Sequence, residues 1–309
     1  MRTRRQQSSS DPMPLSERHR PVLLHEVSEL LAIQPDDTVV DATLGGAGHA
    51  EHMVEKLGEK GIFLGIDADS AAIERAREKL AASKARVILE QGNFRNVGSY
   101  LGKHMIQSVD KALFDLGWSS YQLKSGRGFS FLADEPLVMT YADTGATLTA
   151  ETIVNTWGEE SIADILYGWG DERYSRRIAR AIVDVRANHA IRTSKELASI
   201  VAQAVPPVYR RGKTHPATKT FQALRIAVND EFGALKESVD SLWQHIAPHG
   251  RIAIITFHST EDREVKQMFR ELAATGGTLV TRKPLVPTRE EVLQNPRARS
   301  SKLRCIEKN

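Results

Sequence analysis

The chain has 309 residues, 41% apolar and 26% charged, which suffices for a full core and about two domains. It carries no apolar run near the ~20 residues of a membrane span, and its basic opening "MRTRRQQSSSDPMPLSERHRP" lacks the apolar segment of a secretory signal. A single cysteine, Cys305, excludes an intramolecular disulfide and a cysteine-rich zinc site, and fits a cytoplasmic protein.

Net charge is only +3, but it is unevenly spread. From Ser119 to Glu172 there are two basic residues against nine acidic ones; from Arg173 to Pro216 there are ten basic against two acidic. That step suits either a solvated helix face or a footprint for phosphate backbone.

In chain order, residues 1–18 read as a disordered arm. Four short apolar runs follow, at Thr38–Ala42, Gly61–Asp67, Arg86–Gln91 and Val109–Asp115, and each predicts a buried strand. Between the second and third, Ala72, Ile73, Ala76 and Leu80 share one helical face, with Asp69 or Ser70 as N-cap. Strands separated by helices of this length predict a parallel sheet with right-handed crossovers. The alternation then stops for about a hundred residues of helical pattern, closed by the basic, proline-containing "AVPPVYRRGKTHP".

A long helix is predicted next, with the stripe Phe221, Leu224/Arg225, Val228, Phe232, Leu235, Val239, Leu242 and Ile246. "GRIAIITF", Gly250–Phe257, is a central fifth strand; a helix from about Glu261 and two strands, "GGTLVTRK" and "SKLRCIEK", complete the chain. The economical topology is one doubly wound, mostly parallel seven-stranded sheet interrupted by inserted helices. The first sheet part spans 19–118, the insertion 119–214 and the second sheet part 215–309.

The turn "VVDATLGGAGHA" places Gly45, Gly46 and Gly48 where backbone must bend tightly and approach a ligand. Asp67 ends the second strand nineteen residues beyond Gly48, where a carboxylate can accept both ribose hydroxyls of an adenosine. Nicotinamide dinucleotides share that acidic position. Their G-x-G-x-x-G fingerprint is missing from this turn, which favours a ligand without pyrophosphate, such as S-adenosyl-L-methionine. Phe94, after the third strand, suits adenine stacking or ordinary core packing equally.

"DLGW", Asp115–Trp118, ends the fourth strand. It is similar to the motif of methyltransferases that modify nucleobase amino groups: an Asp, Asn or Ser, two turn residues and an aromatic. A conjugated amine is a poor nucleophile. A carboxylate accepting its N–H draws it towards tetrahedral geometry and stabilises the charge that develops. An aromatic face such as Trp118 can hold the extruded base.

From about His19 to Glu307 the chain resembles the bacterial MraW family, which methylates N4 of a cytidine in 16S ribosomal RNA. The resemblance runs through "HRPVLLHEV", "DATLGGAGHA", "GIDAD", "DLGWSSYQL", "RGFSF", "RIARAIV", "HPATKTFQALRIAVNDE", "FHSTEDREVK" and "NPRARSSKLR", in that order. It implies a Rossmann-like class I methyltransferase with an inserted helical domain for RNA recognition. It also implies cofactor contacts at Ala47, Gly48, His49, Asp67, Phe94, Asp115 and Gln122. Trp118, Tyr121 and Lys124 depart from the family's usual Val, Pro and acidic residue, and Val138 and Thr140 replace an acid and an arginine.

His258 and Ser259 should project from the fifth strand into the same crevice and position substrate. His215 and Lys219 suit phosphate or ribose contacts, and Arg173, Arg176, Arg177 and Arg180 suit the RNA backbone. Each has a local cap or a solvated surface as its alternative. No cluster has metal-ligand spacing, and no serine sits in a nucleophile elbow. The expected activity is methyl transfer to small-subunit ribosomal RNA, free or in the 30S particle. A DNA amino-methyltransferase, a non-catalytic assembly factor and a nicotinamide oxidoreductase are the rivals.

Overall fold

The computed structural model describes residues 20–117, 126–141 and 148–309; the expected arm at 1–18, Trp118 and Gln122 lie outside them. Its strands are β1 (Thr38–Asp41), β2 (Ile62–Asp67), β3 (Arg86–Gln91), β4 (Val109–Asp115), β5 (Ile246–Thr256), β6 (Gly277–Leu279) and β7 (Lys302–Lys308). They form one sheet in the order β3-β2-β1-β4-β5-β7-β6, parallel from β3 through β5, with β7 antiparallel to both its neighbours.

Period-two alternation sends β4 residues to opposite faces, so each face needs its own helical cover. Leu113 joins one cluster with Val39, Phe63 and Ile255, covered by α1 (Leu24–Leu31), α2 (Gly48–Val54) and α3 (Ser70–Lys79). Ala112 and Phe114 join the other with Leu64 and Ile254, covered by α4 (Val97–Lys103) and by later helices. α3 is capped by Asp69, which accepts from the Ala71 N–H at 2.9 Å.

The second half of the chain adds α5 (Ala150–Thr156), α6 (Glu159–Gly168), α7 (Ser175–Arg186), α8 (Ser194–Ala204) and the short α9 (Pro207–Arg210). After them come α10 (Thr218–Asn229), α11 (Glu231–His245), α12 (Ser259–Ala274) and α13 (Arg289–Gln294). The single long helix expected from the sequence is two helices. Asp230 sits between them at φ 45°, ψ 49°, a left-handed conformation that ends one helix and turns the chain into the next. The stripe continues across the corner but serves two cores. Phe221 and Leu224 pack with α5 to α8, whereas Leu235, Val239 and Leu242 pack on the sheet. The helical cluster therefore continues to Ala227, past residue 214 where the expected insertion closes.

Strand order reverses between β1 and β4, so their C-terminal ends open a crevice rather than continuing one wall. Asp41 lies opposite Leu113, and Asp115 lies opposite Ile255 of β5. Two carboxyls and the turn after β5 are thereby gathered at one edge.

Candidate active site

That edge opens into a cleft of about 1400 Å³, more than the ~300–1000 Å³ typical of a single small ligand. Its floor is the glycine turn. Gly45 has φ +48° and Ala47 has φ +57°, so the chain reverses within three residues before α2 begins. The Gly45 N–H donates to Asp67 Oδ2 at 2.7 Å, and the Asp69 N–H donates to Asp67 Oδ1 at 2.9 Å. Each carboxylate oxygen thus spends one lone pair on backbone and keeps another for a hydroxyl. From behind, Lys79 Nζ donates to the Gly46 carbonyl at 3.0 Å and Arg75 to the Gly45 carbonyl at 3.3 Å. These braces from α3 escape sequence reading, because a backbone carbonyl leaves no mark in a sequence. Phe94 lines the cleft and meets Phe114 edge-on, centroids 5.8 Å apart at 89°, so it is both cleft wall and core contact.

Asp115 stands at the centre. Its N–H donates to Thr43 Oγ1 at 2.7 Å, which ties β4 to the glycine turn. Oδ2 lies 3.7 Å from His49 Nε2, and Oδ1 is buried with no hydrogen-bond partner among the described residues. Burial, then the charges of Asp41 and Glu261, push the Asp115 carboxyl up to about 8. Asp41, 1% exposed, accepts the Thr43 N–H at 3.0 Å and is raised to about 7, chiefly by burial.

A polar knot that the sequence reading missed closes the far wall. Arg225, 4% exposed, makes a two-pronged contact with Glu231 at 2.8 and 2.9 Å and lies 3.5 Å from Glu261. Tyr141 OH donates to Glu231 at 2.9 Å, and Asn229 bridges the Tyr141 N–H and the Met139 carbonyl, both at 2.8 Å. Burial raises Glu261, but His258, Arg225 and the Phe257 N–H outweigh it and hold the carboxyl below its usual range. The available signals were an arginine inside an apolar stripe and a glutamate three residues after His258.

A family model described as the MraW methylase family matches residues 16–309. The chain belongs to the MraW methylase family. This methylase is 44% identical to the ribosomal RNA small subunit methyltransferase H of Brevibacillus brevis, over 95% of this chain and 99% of that one. It is 45% identical to the protein of the same description from Acetivibrio thermocellus, over 94% and 98%. The Clostridioides difficile relative, described likewise, is 41% identical over 94% and 98%.

The other expected positions of the methylase are spread more widely. Gly48, His49, Asp67, Phe94 and Asp115 line the cleft, Ala47 is buried behind it at the start of α2, and Trp118 and Gln122 fall outside the described residues. His258 lines the cleft but also caps α12: its Nδ1 accepts the Glu261 N–H at 3.2 Å and Nε2 stands 2.8 Å from Glu261 Oε1 in a bent geometry outside that of a hydrogen bond. Ser259 donates to Asp171 Oδ2 at 2.6 Å, which fastens the helical part to the helix after β5, and Lys219 donates to the Asp171 carbonyl at 2.7 Å within the helical part. His215 stacks on Phe131 at 4.5 Å and 21°, and Phe131 lines the mouth. Arg173, Arg176, Arg177 and Arg180 are exposed and do not line the cleft. Arg173 precedes α7 and lies against Tyr174 and Tyr209, and Arg180 pairs with Glu159. Among the described residues no group of three or more His, Cys, Asp or Glu could hold a metal, and no helix is long and apolar enough to cross a membrane.

Proposed function

We propose that this chain transfers a methyl group from S-adenosyl-L-methionine to N4 of a cytidine in the decoding region of 16S ribosomal RNA, in the cytoplasm. The observation that carries the reading is Asp115: a part-exposed carboxyl at the end of β4, lining the same cleft as the glycine turn and Asp67. Its names among relatives point the same way.

The residues fit the donor. Asp67 keeps lone pairs for ribose hydroxyls, Phe94 offers a ring beside them, and the glycine turn exposes backbone at the floor. When bound, S-adenosyl-L-methionine supplies an electrophilic methyl on a positively charged sulfur. Asp115, whose side chain is part-exposed to the cleft, accepts an N–H of the cytosine amine, which draws the lone pair out of conjugation and stabilises the charge growing on N4. Asp115 must be ionised to do so. A cation brought against it lowers its pKa, and so readies it at neutral pH. The methylated ammonium is acidic enough to lose its proton without a dedicated base. Phe131 and Tyr141 offer ring faces on the far side of the cleft to a base that is flipped out or single-stranded. Arg173, Arg176, Arg177 and Arg180, with His215, Lys219, His258 and Ser259, are the proposed RNA-side contacts.

Nucleoside mass spectrometry of small subunits from cells with and without this protein tests the reading. N4-methylated cytidine should vanish in its absence and return with the parent chain but not with Asp115→Ala. Unchanged methylation in the deleted strain, or full rescue by Asp115→Ala, overturns it.

A further inference from the structure

Two blocks of sequence, one near each end of the chain, have no part in the chemistry above: "HRPVLL" and "NPRARSS". The fold brings them together on the cleft. Asn295 Nδ2 donates to the Arg20 carbonyl at 3.3 Å, Arg20 donates to Gln294 Oε1 at 3.1 Å, and the Leu23 N–H donates to Glu291 at 2.7 Å. The joined pair sits directly on the glycine turn, for a Cβ on Gly48 would stand 3.0 Å from Pro21 Cδ.

The C-terminal partner is a 3₁₀ turn, Pro296–Ser300. Side chains three apart eclipse one another in such a turn, so Arg297 and Ser300 share a face. Both line the cleft, as does Arg20. The turn is anchored from below: Ala298 is fully buried, and Ser301 Oγ, also buried, donates to the Ala298 carbonyl at 2.7 Å. Arg20, Arg297 and Ser300 are all exposed, which places them at the mouth, while Asp67, Phe94 and Asp115 lie deeper.

We propose that Arg20, Arg297 and Ser300 form a positioning clamp for the phosphodiester of the nucleotide whose base enters the cleft. A base that reaches Asp115 from a strand leaves its sugar–phosphate at the opening, and this wall meets it with two guanidiniums and a hydroxyl. A guanidinium has five donors in a planar fork suited to phosphate oxygens, and Arg20 commits one of them to Gln294. The wall packs on Gly48, the neighbour in sequence of His49, whose ring is 3.7 Å from Asp115, so the wall and the carboxyl border one cleft. The inference rests on the RNA reading above.

The test compares the parent chain with Arg20→Ala, Arg297→Ala, the two combined, and Arg297→Lys. Affinity for a single-stranded 16S fragment spanning the target cytidine is measured across a salt series, and S-adenosylhomocysteine affinity by calorimetry. Arg20→Ala combined with Arg297→Ala should reduce the slope of log affinity against log salt by about 0.7, the value for one single-strand phosphate, and each single alanine variant by less. S-adenosylhomocysteine affinity should stay within about twofold, and Arg297→Lys should keep the slope because it keeps the charge. KM for the RNA should rise in the alanine variants more than kcat falls. An unchanged slope in the combined variant overturns the clamp, and so does loss of S-adenosylhomocysteine affinity with the slope intact, which would assign the wall to the donor's carboxylate. The salt series needs no turnover. Failure of the RNA reading shows separately, as a parent chain that methylates no small-subunit RNA.

Discussion

Asp115 is a carboxyl held where it is costly to ionise, and that cost is visible in two measurements. Its pKa is about 8 in the folded chain against 3.8 as the reference, because burial and the charges of Asp41 and Glu261 oppose ionisation. Below pH ~4 the group is protonated in both folded and unfolded states and contributes nothing. Between there and pH 8 only the unfolded chain releases the proton, so folding stability falls as pH rises. Asp115→Asn removes that loss. Calorimetric Tm should rise by several degrees at pH 8.5 and by little at pH 5, while methyl transfer falls by about 10²–10³-fold. An equal gain at both pH values would show that the carboxyl is not the source. The second measurement is the pH profile of kcat/KM, which should climb towards pH 8 as Asp115 ionises. Asp41 titrates near 7 beside it, so the two act as a coupled pair. Asp41→Asn keeps an acceptor for the Thr43 N–H but removes the like charge, and should move the rising limb to lower pH. A limb that stays in place would mean that Asp41 does not tune the site.

Among the elements, the corner between α10 and α11 matters most, because it gives one stripe of side chains to two cores. A residue with a Cβ costs roughly 1 kcal/mol in the left-handed conformation of Asp230, and glycine does not. Asp230 also pairs with Arg95, so the informative comparison is Asp230→Gly against Asp230→Ala, both of which lose that pair. The glycine variant should be the more stable by about 1 kcal/mol in urea titration; parity would place the strain elsewhere. This corner marks the limit of what the sequence discloses. The strands were legible because apolar runs ending at Asp67 and Asp115 alternate with amphipathic helices. The break at Asp230 was not, since Val228 and Phe232 keep helical spacing across it while the backbone turns. Asp67 and Asp115 could be placed as strand ends on a crevice from the sequence. The network around Arg225 could not, because its partners lie on four separate segments. The same holds for the clasp on Asp171, whose carboxylate holds Ser259 and Arg263.

At the scale of the whole molecule, the helical part and the sheet meet across charged groups rather than a continuous apolar face, and those groups differ in exposure. The Asp171–Arg263 pair is open to solvent, with side chains 37% and 58% exposed, and such pairs contribute about 0–1 kcal/mol. Arg225 is different: its side chain is 5% exposed, Glu231 14% and Glu261 2%. A buried cation between two carboxylates adds little net stability over a well-packed apolar core, yet removing it strands two negative charges. Arg225→Met should therefore cost about 3–5 kcal/mol in urea unfolding. Combining it with Glu231→Gln should cost less than the single change, because one stranded charge is then gone. A double variant at least as unstable as the single one would mean that the arginine acts by packing rather than charge. Arg225→Lys should recover little, since an ammonium cannot reproduce the two-pronged contact with Glu231. Tyr141 and Asn229 hang on the same knot and line the cleft. Loosening it should thus raise KM for RNA before it alters S-adenosylhomocysteine affinity, because the proposed donor contacts, Asp67, Phe94 and the glycine turn, are not part of the knot.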